Sequence, residues 1–443
     1  MDHLRLMTIM SDGTIKQINP FTGTEVWAVP GRGHRPMANG AILNQKPIER
    51  HPIEDYCNFC EAHYLSTPPE KDRLVLEGNN YRSIPHVQAA DISKSHAVMR
   101  RIPNLFEIVT IDYWEKNYGY RLSDRNRIWK EQYLATPAGQ SHVRRVLGIK
   151  LAAMGRPDKE ESNRLDNAAL SRMADAFFGG AHELIVMDRH YKSDAQSTAD
   201  LLSSGELTPD EHHRYFAFTI SAIQDIYAQN RYVRYVATFQ NWLRAAGASF
   251  DHLHKQLVGL DDWGNALKAQ SKAVRDNPNV FNEAVANFAS YNNLVVAENE
   301  HALAFVEIGH LHPTVSIYSK SHNLRPWEHS PEEIRSFSNM VHACHAAMGS
   351  GISSNEEWYY LPLDSVDRIP WHVQIHLRIN NPAGFEGGTR IYINPVTPYE
   401  LRDKIVPRLY ELRLRGLISS MQIAEECVLR PNPLRYIQAG SSG

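Results

Sequence analysis

This 443-residue sequence has few cysteines, no long hydrophobic run and almost no charge imbalance, and each absence excludes a class of protein. Its 4 cysteines are too few for a disulfide-rich secreted scaffold. No stretch approaches the roughly 18 consecutive apolar residues of a membrane-spanning helix. With 47 basic and 50 acidic residues, the net charge of -3 provides no electrostatic footprint for general nucleic-acid binding.

The composition is otherwise that of an ordinary globular protein, with 42% apolar and 22% charged residues. The opening residues, MDHLRLMTIMSDG, lack a basic segment followed by an apolar run, so we expect no signal peptide and a reducing, cytoplasmic location. At about 150 residues per domain, the length predicts two or three domains.

The predicted secondary structure occurs twice in the same order. Thr208-Pro209-Asp210-Glu211 has the N-cap, proline and acidic first turn of a helix start, and this helix should extend to about Gln229. Ser330-Pro331-Glu332-Glu333 repeats the signal for a helix ending near Met348. A strand and then a histidine-bearing strand follow each helix. We interpret this as an internal duplication, and predict an α+β protein of two fused halves, each an antiparallel sheet with a long helix, at 1–265 and 266–443.

One segment of the first half has a different sequence pattern. Residues 110–178 combine charge, aromatic side chains and helical spacing, with little β-strand signal. We predict a mostly helical insertion or lid.

His252-Leu253-His254-Lys255-Gln256 is the sharpest chemical motif. On a strand, alternate side chains share a face, so His252, His254 and Gln256 should point together. The preceding Gly247-Ala248-Ser249 is small enough for backbone N–H groups to approach an anion. Neutral imidazole is a competent nucleophile toward a phosphate held beside it. The alternative is a pair of surface histidines, which is how we interpret His310-Leu311-His312, where Pro313 follows.

The Cys57-Asn58-Phe59-Cys60 motif has three interpretations: half of a tetrahedral zinc site, a redox pair, or two unconnected thiols. His182 and His252 are the natural candidates to complete a zinc site. Cys344 falls in a helical pattern beside His342 and His345, which we interpret as core or surface histidines, and Cys427 has no partner.

These motifs together resemble the galactose-1-phosphate uridylyltransferase family and its relatives that act on other nucleoside diphosphate sugars, within the histidine-triad superfamily. The resemblance runs from about residue 14 to 410, except for the insertion. Six blocks carry it in the family's order: Asn19-Pro20-Phe21-Thr22-Gly23 with Pro30, Arg32, Arg35 and Pro36; Cys57-x-x-Cys60 with Thr67-Pro68-Pro69-Glu70; Pro103-Asn104-Leu105-Phe106; His182-Glu183; Asn241 through Gly247-x-Ser249 to His252-x-His254-x-Gln256; and Ala383-Gly384-Phe385-Glu386 with Ile393-Asn394-Pro395.

The resemblance implies a fold, a reaction and a set of site residues. His254 would attack the α-phosphorus of a nucleoside diphosphate sugar, and a sugar 1-phosphate would then accept the nucleotidyl group in a ping-pong cycle. One structural zinc ion per chain would be held by Cys57, Cys60, His182 and His252. Family members form homodimers with sites completed across subunits. The remaining implied roles are phosphate contacts for Gln256 and Ser249, the nucleoside and phosphate side for Asn104, Leu105, Asn241, Gly247 and Ala248, the acceptor phosphate for Arg32 and Arg35, and sugar hydroxyls for Glu386.

The sequence departs from the family's pattern at four places. The insertion at 110–178 is longer than the family usually carries there, and we expect it to cover the acceptor site. The last strand, Pro370-Trp371-His372-Val373-Gln374-Ile375-His376, keeps only His376 of a second metal motif, so we expect no second metal. Leu243 replaces a glycine after Asn241. Tyr392 falls near the position of a glutamine that contacts galactose, which argues against galactose specificity.

Two other function classes stay open. One is a phosphorylase or hydrolase of nucleotide sugars or dinucleoside polyphosphates that uses the same His254 with phosphate or water as acceptor. The other is a zinc-stabilised nucleotide-binding module without catalysis. For Arg32 and Arg35, a solvated basic loop is the alternative to a phosphate site. We expect neither nucleic acid nor a membrane as partner.

Overall fold

The computed structural model describes residues 6–31, 48, 55–78, 80–155, 165–428 and 430–437. Its strands are β1 (Met7–Ile9), β2 (Ile15–Ile18), β3 (Glu25–Ala28), β4 (Asp72–Glu77), β5 (Asn80–Pro85), β6 (Ala97–Pro103), β7 (His182–Met187), β8 (Tyr235–Trp242), β9 (His254–Leu260), β10 (Val295–Glu298), β11 (Ala302–Glu307), β12 (Thr314–Ser319), β13 (Ser354–Tyr359), β14 (His372–Leu377), β15 (Ile391–Asn394) and β16 (Gln422–Ile423). Its α-helices are α1 (Ile111–Tyr118), α2 (Asp124–Leu134), α3 (Pro137–Ala153), α4 (Asn167–Met173), α5 (Asp175–Gly179), α6 (Pro209–Gln229), α7 (Gly264–Asp276), α8 (Asn287–Tyr291), α9 (Pro331–Met348), α10 (Gly384–Thr389) and α11 (Pro398–Leu414).

Twelve strands form one continuous sheet in the order β16-β10-β11-β12-β14-β13-β8-β9-β7-β6-β4-β5. The strands up to β9 lie on one side of the β13–β8 pair, and the later strands lie on the other. Moving outward from this pair, β8-β9-β7-β6 has the same hairpin and crossover order as β13-β14-β12-β11. The α+β fold is confirmed, and the two sets of strands are joined edge to edge by antiparallel pairing of β13 with β8. The division at 265/266 stays a prediction.

The two long helices begin where the sequence predicts. Thr208 and Ser330 each close a capping box, accepting from the backbone N–H of Glu211 and Glu333 respectively. Helices α6 and α9 pack against each other and against strands of both halves. Their apolar faces meet Trp358 and Trp371 in a shared core: the Phe216 ring lies 4.5 Å from Trp358, and the Phe337 ring 4.1 Å from Trp371.

The predicted insertion is helical and comprises α1 to α5. It packs on the segment that follows the cysteine pair: His142 Nε2 lies 2.9 Å from the Thr67 carbonyl oxygen, and Arg145 donates to Ser66 Oγ at 2.9 Å. The Trp129 ring stacks on His86 at 4.5 Å. These contacts join the helices to the segment after the cysteine pair and to His86. Coverage of the acceptor site stays a prediction.

A second, four-stranded sheet has the order β1-β2-β3-β15, with β3 and β15 parallel. It is attached to the later half of the chain: the Phe21 ring lies 4.7 Å from Phe281, and Gln17 Oε1 accepts from Gly309 N at 3.2 Å. This sheet carries the Asn19 turn and Tyr392. Within the described residues, no helix combines the length and apolar character needed to cross a membrane.

Candidate functional site

Two sulfur and two imidazole atoms converge between β7, β9 and the turn that holds the cysteine pair. Cys57, Cys60, His190 and His252 each place one ligand atom within 4.8 Å of the others. The Cys57 and Cys60 sulfurs are 3.8 Å apart, and His252 Nδ1 lies 3.6 Å from Cys57 Sγ and 3.8 Å from Cys60 Sγ. His190 Nδ1 is 3.6 Å from Cys60 Sγ.

These separations fit a tetrahedral zinc site. Zn–S bonds of about 2.3 Å and Zn–N bonds of about 2.0–2.1 Å in a tetrahedron require S···S near 3.8 Å and S···N near 3.6 Å. The local folding supports the arrangement: Cys60 N donates to the Cys57 carbonyl at 3.0 Å, and His252 Nε2 lies 2.7 Å from the Met187 carbonyl oxygen, which leaves Nδ1 facing the sulfurs. The Cys57–Cys60 hydrogen bond lowers the pKa of Cys60 and raises the pKa of Cys57. The cluster can therefore hold a metal ion such as zinc.

The structure corrects one member of the expected ligand set, because His190 and not His182 joins the cluster. In the antiparallel β7–β9 pair, His182 is opposite Val258, whereas Val186 is opposite His254. His182 thus lies at the far end of β7, about 14 Å along the strand from the level of His254 at roughly 3.4 Å per residue. The other end of β7, at Met187, lies next to His252, and His190 follows just beyond that end.

His254 begins β9 next to this cluster and is 5% exposed. Its Nδ1 lies 2.7 Å from the His252 carbonyl oxygen, so Nδ1 carries the proton and Nε2 keeps its lone pair in the neutral ring. Phe59, between the two cysteines, packs against the ring at 5.3 Å. Burial lowers the pKa of His254 to about 4. The geometry leaves the lone pair of the neutral imidazole on Nε2, which makes no hydrogen bond to any residue that the structure describes.

The small-residue loop follows β8. A short 3-10 helix, Arg244–Ala246, ends at Gly247, whose φ of 86° is in the left-handed region. Leu243 also has a positive φ of 64° with ψ 163°, a conformation that favours glycine. By the β8–β9 register, in which Phe239 pairs with Gln256, Asn241 is level with His254 and on the same face. The sequence motif thus brings Asn241, the loop, His254 and Gln256 to one face of two neighbouring strands.

His182 contacts this face instead of the metal cluster. Its Nε2 lies 3.2 Å from Gln256 Oε1, and its Nδ1 accepts from the Ile108 backbone N–H at 3.0 Å. Asn104 donates its backbone N–H to the His182 carbonyl at 2.8 Å. Burial lowers the pKa of His182 to about 4. His182 and Asn104 therefore line the site beside Gln256.

The other candidate residues lie away from His254 or outside the described residues. Glu386 is on α10, where its carboxylate accepts from Ala383 N at 2.8 Å. Tyr392 lines a cavity of about 290 Å³ between the small sheet and the later half, together with His376. Leu105 is partly buried against the core of the insertion. In the described part of the chain, no polar contact joins Glu386 to His254 or Gln256. Arg32 and Arg35 lie outside the described residues.

Sequence reasoning did not single out three residues that contact the site: His190, Asn355 and Arg378. Asn355 donates to Asn241 Oδ1 at 2.7 Å, and Arg378 donates to Asn355 Oδ1 at 2.9 Å. Asn355 and Arg378 come from the later half of the chain, so only strand pairing across the β13–β8 junction reveals them. The histidine in Asp188-Arg189-His190, directly after a buried strand, was the available signal for the fourth metal ligand.

Comparison with known proteins shows the family and the fold. The model of the family described as Domain of unknown function (DUF4921) matches residues 10–436, and the chain belongs to that family. No curated protein matches the chain.

Among solved structures, an ADP-glucose phosphorylase from Arabidopsis thaliana with bound ADP-glucose has a TM-score of 0.57 and 17% identity, covering 90% of this chain and 98% of that one. A galactose-1-phosphate uridylyltransferase-like protein from Arabidopsis thaliana has a TM-score of 0.52 and 16% identity, covering 92% and 99%. The expected resemblance is thus confirmed at the level of the fold.

Proposed function

We propose that this DUF4921 protein is a nucleotidyltransferase that acts on a nucleoside diphosphate sugar through a covalent intermediate on His254. The observation that carries this proposal is the His254 ring: its Nδ1–H is held by the His252 carbonyl at 2.7 Å, burial lowers its pKa, and its Nε2 lone pair has no hydrogen-bond partner among the described residues. Gln256 and the Gly247 loop lie beside it.

The reaction proceeds in two displacements at phosphorus. His254 Nε2 attacks the α-phosphorus, a P–N bond forms, and the bond to the β-phosphate oxygen breaks, so that a sugar 1-phosphate leaves with the electron pair. An oxygen of the acceptor phosphate then attacks the same phosphorus, and the P–N electrons return to Nε2. Gln256, Ser249, Asn241 and the backbone at Gly247 and Ala248 would hold the non-bridging oxygens, where one donor contributes about 3–4 kcal/mol to lowering the barrier.

We assign the metal cluster a structural role. Zinc bound by Cys57, Cys60, His190 and His252 would have no open position for water, so it would cross-link the cysteine turn to β7 and β9 and fix the start of His254's strand. His252 would be a ligand and would position the nucleophile two residues further on.

For the acceptor, a sugar 1-phosphate is the first candidate and inorganic phosphate the second. The fold neighbour with the higher TM-score is an ADP-glucose phosphorylase, which supports testing orthophosphate directly. Leu105 and Asn104 would face the nucleoside, and Arg32 and Arg35 would bind the acceptor phosphate.

We also propose that the site is completed across a homodimer. Glu386 accepts from Ala383 at the start of its own helix, and Tyr392 lines the cavity beside the small sheet. Within the described residues neither side chain contacts His254 of its own chain, which supports a role for them in a partner's sugar subsite. Mixing His254→Ala and Glu386→Ala proteins tests this directly. If sites are shared between chains, each mixed dimer has one intact site of two, so the re-equilibrated equimolar mixture would regain up to a quarter of wild-type activity. Sites within one chain would regain none.

The function is tested by intact-protein mass after mixing the purified protein with ADP-glucose, UDP-glucose or GDP-glucose without an acceptor. We expect a gain of one nucleoside monophosphate, absent in His254→Ala and retained in the matched control His342→Ala, a buried histidine of α9 that contacts the Leu207 carbonyl. Adding glucose 1-phosphate or orthophosphate to the isolated adduct then identifies the acceptor by the released product. Nucleotide binding without an adduct would contradict the transferase and favour the binding module.

A further inference from the structure

Beside the Gly247 loop lie several amide side chains, and in each of them a neighbouring residue binds either the oxygen or the NH₂ group. An amide can present either an acceptor oxygen or a donor NH₂ group, and the difference decides which ligand it binds. Here the hydrogen-bond chains end in groups that can only donate or only accept, so the orientation of each amide follows from chemistry alone.

The first series of hydrogen bonds begins at Arg378, in the later half of the protein. Arg378 Nη1 donates to Asn355 Oδ1 at 2.9 Å, and a guanidinium can only donate. Asn355 must therefore direct its NH₂ group the other way, where it donates to the Ala246 carbonyl at 2.8 Å and to Asn241 Oδ1 at 2.7 Å. Since the Ala246 carbonyl can only accept, the orientation of Asn355 is fixed at both ends.

Asn241 is consequently fixed as well. With Oδ1 bound to Asn355, its NH₂ group faces the loop, and its Nδ2 lies 4.0 Å from where a Cβ on Gly247 would be. Asn355 is directly opposite Asn241 in the β13–β8 pair, and Asn241 is level with His254 in the β8–β9 register. One row across β13, β8 and β9 thus contains Asn355, which positions its neighbour, Asn241, whose NH₂ group donates, and the proposed nucleophile His254.

The second series of hydrogen bonds begins at a backbone N–H group. Ile108 N donates to His182 Nδ1 at 3.0 Å, so in the neutral ring the proton is on Nε2, which donates to Gln256 Oε1 at 3.2 Å. The NH₂ group of Gln256 is thereby turned away from His182. Asn104 Oδ1 accepts from the Phe106 backbone N–H at 2.8 Å, which fixes the orientation of this amide. Its Nδ2 lies 3.0 Å from His182 Nε2, but the single lone pair of the ring already accepts from Ile108, so the amino group of Asn104 is left for another acceptor.

We propose that Asn355 and His182 are positioning residues that give the site a fixed donor polarity, so that it binds a group that only accepts hydrogen bonds, namely an ionised phosphoryl group. Asn104, Asn241 and Gln256 all present NH₂ groups, and none presents its oxygen. The inference rests on the proposed function and adds to it that the later half of the chain, through Arg378 and Asn355, sets the polarity of a site built by the first half.

Asn355→Asp and Asn355→Leu separate polarity from shape. An aspartate keeps the size of Asn355 and pairs with Arg378, but its second oxygen faces Asn241, which must turn its NH₂ group away from the loop. A leucine removes the bonds without inverting them. Donor polarity predicts that Asn355→Asp is the more severe change, whereas a role in packing alone predicts that Asn355→Leu is.

The readout is the affinity for AMP and UMP relative to adenosine and uridine, measured by calorimetry. We expect Asn355→Asp to weaken monophosphate binding by at least tenfold and to leave nucleoside binding unchanged, with a smaller loss in Asn355→Leu. His182→Phe should produce a loss of the same kind. The matched control is Asn282→Asp, a buried amide of the later half that bonds to the Leu434 backbone and lies outside the site.

The possible failures are distinguishable. Unchanged monophosphate affinity in Asn355→Asp, or equal losses for nucleotide and nucleoside, would overturn the inference while leaving the His254 adduct intact. If the wild-type protein shows no preference for monophosphate over nucleoside, the inference is wrong, whereas the proposed function is contradicted only if His254 forms no adduct.

Discussion

Lys255 and Glu356 form an ion pair that is completely buried between β9 and β13. Lys255 lies between His254 and Gln256, so its side chain points to the opposite face of the sheet, against the rings of Tyr215 and Phe216. Burial alone raises the pKa of Glu356, but Lys255 and His345 outweigh it and hold that pKa well below the usual range. The pair joins the strand of the candidate nucleophile to the other half of the chain.

Removing one partner of this pair should destabilise the protein strongly. Lys255→Met leaves a buried carboxylate without its cation, and we expect a loss of about 3–5 kcal/mol in the free energy of unfolding. The double variant Lys255→Met/Glu356→Gln should recover much of the loss. Urea denaturation of the wild-type protein, both single variants and the double variant gives the coupling energy. Additive losses would show that the two side chains do not interact.

Much of the fold was predictable from the sequence because local signals agreed with it. The capping boxes at Thr208 and Ser330 define both long helices, and the helical insertion carries charged and aromatic residues at helical spacing. The junction of the halves was not predictable, because the pairing of Asn355 with Asn241 joins residues 114 positions apart. Only the three-dimensional register makes β13 the neighbour of β8.

The ligand set of the metal site makes a direct prediction. His190→Ala removes a ligand atom 3.6 Å from Cys60 Sγ, so the purified protein should contain less than one zinc per chain and unfold at a lower temperature. His182→Ala should retain its zinc, because His182 contacts Gln256 instead. Elemental analysis and thermal unfolding of the two variants test this, and zinc loss in His182→Ala alone would restore the ligand set expected from sequence.

The sequence error at this site has a simple physical origin. Both His182 and His190 flank the same strand, at its beginning and just beyond its end, and composition does not distinguish them. The choice depends on which end of β7 is next to His252, and the antiparallel register decides it. A histidine three residues beyond a strand end is therefore as good a candidate as one inside the strand.

Acid should destabilise the protein between about pH 6.5 and pH 4. Burial lowers the pKa of His142, His342 and His372 to about 4 in the folded state, whereas the ordinary value is 6.5. In this window the unfolded chain binds more protons, so the free energy of unfolding falls as pH falls, by up to about 1.4 kcal/mol per pH unit for each group.

His142 allows this effect to be tested at one position. It lies between the Tyr133 hydroxyl at 2.6 Å and the Thr67 carbonyl at 2.9 Å, which suits a neutral ring, and Arg100 and Arg145 also disfavour its charged form while Glu70 opposes them. His142→Phe should be less stable at pH 7.5 and should lose stability less steeply toward pH 4.5. Urea denaturation at several pH values gives both slopes, and equal slopes would exclude His142 as a contributor.

At the position of Leu243, we expect glycine to give a more stable protein than alanine. Alanine in a chain segment is ordinarily more stable than glycine, because glycine loses more conformational entropy on folding. Leu243 has φ 64° and ψ 163°, where a Cβ atom is strained by about 1–3 kcal/mol. Leu243→Ala and Leu243→Gly both remove the partly buried side chain, so the difference between them isolates the backbone. We expect Leu243→Gly to have the higher free energy of unfolding in urea by about 1 kcal/mol or more. The ordinary order, with alanine the more stable, would mean that the loop adopts a negative φ at this residue and that Asn355, bound to the Ala246 carbonyl, holds a different loop conformation.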